Sequence, residues 1–269
     1  MKRPLGKYSI GYALLAVAAV TTIGVQHLLA QDAAAELPGY YATIPWTEGT
    51  ADDALAQAQA GSTIPMLGYT FAATKDGNTY TGVFAGGDFE TGVKTNIPVV
   101  VVPLKIIIGS AVFDPSAANS CDGNVSAVNR FKKSPLVVHS PLKFNGVGVG
   151  TTQYSDGFMR AEFWSIIKRS FHNYLSPVKY VKEITVTADS SVATTYSSGC
   201  SELGVVSNTP FASFLGSEIT ALQSSGVVSP TQFVIFLVKD IVQSGATPPT
   251  ISNCCILGFH TAQGSPAQT

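Results

Sequence analysis

The sequence predicts an α+β domain in which a mixed, mostly antiparallel sheet carries one or two packed helices. Three observations point there. Residues 97–108 (IPVVVVPLKIII) form a β-branched run that Pro98 and Pro103 bar from being a regular helix. Two β-prone segments, 66–74 and 79–84, flank Lys75-Asp76-Gly77-Asn78, and Asp-Gly between such runs is a strong hairpin signal. Residues 157–172 place Met159, Phe163, Ile166 and Ile167 on one face and Glu162, Ser165, Arg169 and His172 on the other, which is the period of an amphipathic helix.

The remaining elements follow in order. Lys2, Arg3 and Lys7 precede an apolar stretch over 8–25 and then small residues, so residues 1–35 read as a secretory signal cleaved after Ala30 or Ala35. The alternative is an uncleaved anchor, because about 18 apolar residues approach the minimum that spans a bilayer; Gly11, Gly24 and Thr21-Thr22 weaken it. Residues 36–62 read as a loosely structured arm with Pro38, Pro45 and Gly49, and residues 63–269 as a single α+β domain. Within that domain, the prolines of 97–108 suggest an edge or bulged strand. Residues 112–115 close the unit in a turn, and 116–130 form a polar loop around Cys121. Residues 136–139 suggest a short strand, and the glycines of 146–150 a hairpin or bulge. Ser155 or Asp156 caps the helix of 157–172. Strand patterns recur at 178–188, 232–238 and 254–260; 190–201 reads as a loop and 211–224 as a second helix.

Composition excludes several classes. With 45% hydrophobic and 12% charged residues and a formal net charge of −1, the chain is too apolar for intrinsic disorder and has no basic footprint for nucleic acid. Membrane contact is expected only through an uncleaved signal. There is no GxSxG elbow, no Walker A sequence and no HExxH, and GVGVG lacks the dinucleotide spacing. No residue is assigned to catalysis or to a metal on these grounds. Asp88, Glu90, Asp156 and Glu162 are the carboxylates a glycosidase would need in pairs, but Asp156 with Arg160 at i, i+4 reads as a surface ion pair. His172, near the expected helix end, reads as structural, and His139 as a strand-end histidine. Tyr40, Tyr41 and Trp46 offer a ligand platform in the arm, against packing of that arm on the domain.

Cys121, Cys200, Cys254 and Cys255 form an even set suited to an oxidising compartment. Cys121 and Cys200 both lie in Ser/Gly/Asn-rich loops and are the expected pair. Cys254 and Cys255 then form a vicinal disulfide or two thiols; in a strand they point to opposite faces, and one could instead reach a loop cysteine. Without a CxxC pair or a His partner at ligand spacing, a zinc site has little support.

Five segments in order, NIPVVVVPLK, FDPSAANSC, TTQYSDGFMRAEFW, TQFVIFLV and CCILGFHTA, resemble a group of secreted bacterial proteins. In that group the last strand is followed by another strand and by a helix with a His-Glu pair, similar to the active-site helix of zincin-type zinc metallopeptidases. The resemblance spans 97–262 and implies that Cys254, Cys255, Phe259 and His260 line a substrate cleft. It also implies a chain truncated before the metal helix, inactive as given, with zinc entering only where such a helix is restored. The alternative function is an extracytoplasmic carbohydrate- or protein-binding module without catalysis.

Overall fold

The β-branched run organises the whole architecture. In the computed structural model, which describes residues 64–258 apart from 73–78, 89, 145, 163–166 and 230, it lies within strand β3, Lys94–Ile108. β7 (His172–Tyr180) and β11 (Phe233–Leu237) flank its first half in parallel. β8 (Ile184–Ala188) in parallel and β4 (Ala111–Phe113) in antiparallel flank its second half. A second sheet has the order β13-β12-β10-β9, formed by Cys254–Ile256, Ile241–Ser244, Ser201–Ser207 and Ala193–Ser198. Two antiparallel hairpins, β1–β2 (Met66–Ala72, Thr79–Ala85) and β5–β6 (Ser140–Phe144, Val147–Thr152), complete the strands. Helices α1 (Ala127–Lys132), α2 (Tyr154–Glu162) and α3 (Asn208–Ser224) join them. The α+β class with mixed and antiparallel sheets is therefore the one the composition of elements predicts.

β3 is central, not an edge, and its prolines explain how. A proline cannot donate to a ladder, and each one falls where a ladder is interrupted. The β7 register shifts between Ile97 and Val99, across Pro98. Pairing with β7 ends at Val101 and pairing with β8 begins at Leu104, so Pro103 sits at the junction. The hairpin or bulge expected of the glycines in 146–150 is a hairpin, β5–β6, whose register shifts at Leu142/Lys143 so that Val149 is passed over.

Residues of even number on β3 share one face, and α3 runs along it. Val100 and Val102 pack with Val228, Leu222 and Val234 at the end of α3 and beyond. Leu104, Ile106 and Ile108 pack with Val206 and Ile241 of the second sheet and with Phe211, Phe214 and Leu215 at the start of α3. Full burial of each such aliphatic side chain contributes roughly 1.5–3 kcal/mol. At Gly204 the two sheets touch: a Cβ there would meet Ile241 and would lie 3.1 Å from both Ile108 Cδ1 and Phe113 Cε2.

Several local expectations are corrected. Residues 136–139 are a turn. α2 ends at Glu162, and His172 opens β7 instead of closing a helix. The polar loop 116–130 runs into α1, and the loop 190–201 contains β9. Ser126 caps α1, its Oγ accepting from the Asn129 amide at 3.2 Å, which is why so short a helix holds.

The loop around Cys121 is clasped to the second sheet. Cys121 and Cys200 form a disulfide with 5.7 Å between their Cα atoms. Beside it Lys239 Nζ lies 2.8 Å from Asp122 Oδ2 and 3.4 Å from Asp240 Oδ2, and Arg130 also pairs with Asp122. Burial alone would lower the Lys239 ammonium; the Asp122 and Asp240 carboxylates outweigh it and hold it above the ordinary lysine value.

Candidate functional site

Two places concentrate chemistry. The first lies where α2 meets β7. Gln153, 2% exposed, uses its side-chain amide as a stretch of strand: Nε2 donates to the carbonyls of Val137 (3.0 Å) and Leu175 (3.1 Å), and Oε1 accepts the Leu175 amide at 2.7 Å. The Tyr154 amide donates to the Pro135 carbonyl at 2.7 Å. The first turn of α2 is thereby fixed against β7, and it carries Asp156 inward.

Asp156 is wholly buried, and an isolated buried carboxylate is costly unless its oxygens are satisfied. Oδ1 accepts the Asn173 amide at 2.8 Å. Oδ2 accepts the Thr152 hydroxyl at 2.5 Å and lies 3.0 Å from His172 Nδ1. A carboxylate has no hydrogen to give, so Nδ1 is the donor toward Asp156 and Nε2 lies across the ring from it. The His172 side chain keeps 26% of its exposure. The pair has the orienting geometry of an Asp-His couple.

Around it stand three more groups. The His172 ring stacks on Tyr174 with centroids 5.1 Å apart and planes 17° apart, and His139 tilts onto the same ring at 4.7 Å. Lys94 Nζ lies 5.1 Å from the Tyr174 centroid. The surface ion pair expected between Asp156 and Arg160 does not form. Asp156 is committed to β7, and Arg160 reaches the Arg169 carbonyl at 3.5 Å. Asp88 and Glu90 sit on the exposed turn before β3, where Asp88 Oδ1 accepts the Glu90 amide at 2.8 Å, so they do not make a carboxylate pair with Asp156.

The second place is the edge of the second sheet. Cys254 and Cys255 are joined to each other, and no free cysteine occurs among the described residues. They open β13, which pairs antiparallel with β12 and stands at the end of the strand order. Ile251 and Leu257, 45% and 69% exposed, flank it. Phe259 and His260 lie outside the described residues, as do Tyr40, Tyr41 and Trp46. An apolar cavity of about 160 Å³ between β8, β10 and the start of α3, touching Ile106, Val186, Phe211 and Phe214, brings no polar groups together comparable with either place.

The strand expected over 254–260 begins at Cys254 as β13 but ends at Ile256, and sequence reasoning missed the group around His172, because its members are strand neighbours by tertiary pairing. The available signal was the polar string Thr152-Gln153-Tyr154-Ser155-Asp156 entering an otherwise amphipathic helix. No protein-family model, curated protein or solved structure matches the chain. Its disulfides, and the lack among the described residues of any helix long and apolar enough to cross a membrane, are compatible with a secreted or periplasmic protein.

Proposed function

We propose that the chain is the substrate-strand portion of a secreted, zincin-like metallopeptidase and performs no peptide cleavage with these residues alone. The observation that carries this reading is the place of β13, an antiparallel strand at the margin of a mixed sheet among the described residues. A sheet edge offers backbone donors and acceptors to an extended peptide. The exposed Ile251 and Leu257 beside it supply apolar contact for peptide side chains.

The described residues do not fit a zinc ion. No three His, Cys, Asp or Glu side chains converge among them, and Cys254 and Cys255 have no thiolate to offer while they are joined. In this reading the metal ligands belong to a helix outside the described residues.

The test compares the chain with the same chain continued through whatever open frame follows the Thr269 codon. The continued protein is expected to bind about one zinc per chain and to cleave casein in a chelator-sensitive way, while the shorter chain does neither. A downstream frame without a His-Glu helix, or a continued protein that takes up no zinc, refutes the reading.

A further inference from the structure

We propose that the Lys94 ammonium and the imidazoles gathered around Tyr174 form an oxyanion-binding site, which takes a carboxylate or phosphate group between Lys94 and His172. The placement is set by the backbone. Lys94 and His172 are register partners on adjacent parallel strands, so both side chains leave the same face of the sheet, and Tyr174, two residues on, shares it. Tyr174 is 8% exposed and forms the wall. Lys94 and the two imidazoles of His139 and His172 all lie against that one ring.

Two features define this cluster. The first is the seat of Lys94. Like Lys132 on Tyr180, it lies over an aromatic ring, that of Tyr174, and it forms no ion pair among the described residues. The second is the anchoring of His172. Asp156 is saturated by Thr152, Asn173 and His172 and faces the ring from within. It fixes Nδ1 and leaves Nε2 on the side of the ring away from the carboxylate. When His172 carries a second proton, on Nε2, that N–H and the Lys94 ammonium leave one sheet face and offer an oxyanion a charge-assisted hydrogen bond from each side. A metal ion is disfavoured here, because the ammonium of Lys94 would repel it and no third ligand joins the two imidazoles. Asp156 acts through His172 and is a positioning residue.

The test is a titration of the full chain followed by two-dimensional NMR of the histidine ring nitrogens. Inorganic phosphate and acetate are added in separate arms, with sodium chloride at matched ionic strength as the control. The expected result is a saturable shift of the His172 ring signals in at least one arm, with acetate marking a carboxylate ligand and phosphate a phosphoryl ligand. Lys94→Gln is expected to weaken saturation about tenfold, the loss of one charge-assisted contact, while Lys179→Gln on the same strand as His172 leaves it unchanged. Asp156→Asn is expected to weaken saturation and broaden the His172 ring signals while Lys94 remains in place. Linear shifts equal to those with chloride, or identical saturation in Lys94→Gln and the parent, overturn the proposal.

Discussion

Replacing Asp156 by Ala tests the internal logic of the α2–β7 junction. The substitution strands the Thr152 hydroxyl, the Asn173 amide and His172 Nδ1, which now donate to the carboxylate. Thr152 is 1% exposed and Asn173 is 9% exposed, so water cannot freely replace the lost acceptor at either. An unsatisfied buried polar group costs about 1–3 kcal/mol, and loss of one member of a buried pair about 3–5 kcal/mol. Since His172 retains partial access to water, the expected loss is about 4 kcal/mol, a large share of the roughly 5–15 kcal/mol that holds a typical domain. Asp156→Asn keeps an acceptor for the Asn173 amide and is expected to lose about half as much. Equilibrium urea unfolding reads both values, and a double-mutant cycle with His172→Gln isolates the pair, for which about 1.5–3 kcal/mol of coupling is expected. A loss under about 1 kcal/mol for Asp156→Ala would mean that the carboxylate gains as much from relaxation as it receives from its three donors. The reasoning about this site would then fail.

Three further outcomes follow from the packing and the charges. Gly204→Ala should destabilise by about 1–3 kcal/mol, seen as a lower urea midpoint with an unchanged slope, because the new Cβ meets Ile241, Ile108 and Phe113 where the sheets touch. Replacing Cys121 and Cys200 together by Ser opens a loop with a sequence separation of 79; chain entropy predicts a loss of about 4 kcal/mol, and an unchanged midpoint would exclude that pairing as a stabiliser. Burial raises the Asp114 carboxyl, but Lys105 at 3.0 Å and the Ser116 and Ala117 amides together hold it below the ordinary aspartate value. A depressed value contributes stability that is present above about pH 4 and lost as pH falls through the folded value. The gap between the parent and Asp114→Asn should thus be constant from pH 7 to pH 5 and shrink below pH 4. It should stay under about 1 kcal/mol, because the pair is partly exposed and screened; a gap that widens toward low pH would contradict it.

What the sequence discloses is chiefly what local chemistry decides. The β-branched content of 97–108, the Asp-Gly signal between the β-prone runs 66–74 and 79–84 and the apolar spacing of 211–224 each identify an element, because strand, hairpin and helix preferences act over a few residues. The pairing of Cys121 with Cys200 was legible because two flexible polar loops can approach each other. Other features depend on partners far along the chain. Pro98 and Pro103 argue for an edge strand until the gaps between β7 and β8 are known. β10 and β12 escape notice because SELGVVS and IVQS are short and half polar, and become strands by packing beside one another in parallel. At the candidate site, Arg160 is the obvious local partner of Asp156, yet the carboxylate turns to a strand that begins 16 residues later. Helical spacing extends smoothly to His172, but the backbone there is claimed by Lys94. Tertiary pairing overrides the local pattern at both points.

The position of β3 at the centre also sets a timetable for the polypeptide. Val99 is matched with Phe233, so 134 residues separate two neighbours in the same ladder. At a synthesis rate of about 5–20 residues per second, that partner is made roughly 7–27 seconds later. During the interval the row Val99–Val102, which the finished protein hides almost completely, has only one of its two flanking strands to pair with. Closing so long a loop first and being rewarded by contacts afterwards makes for slow folding. The protein therefore completes the pairing of its central strand only after Phe233–Leu237 has been made.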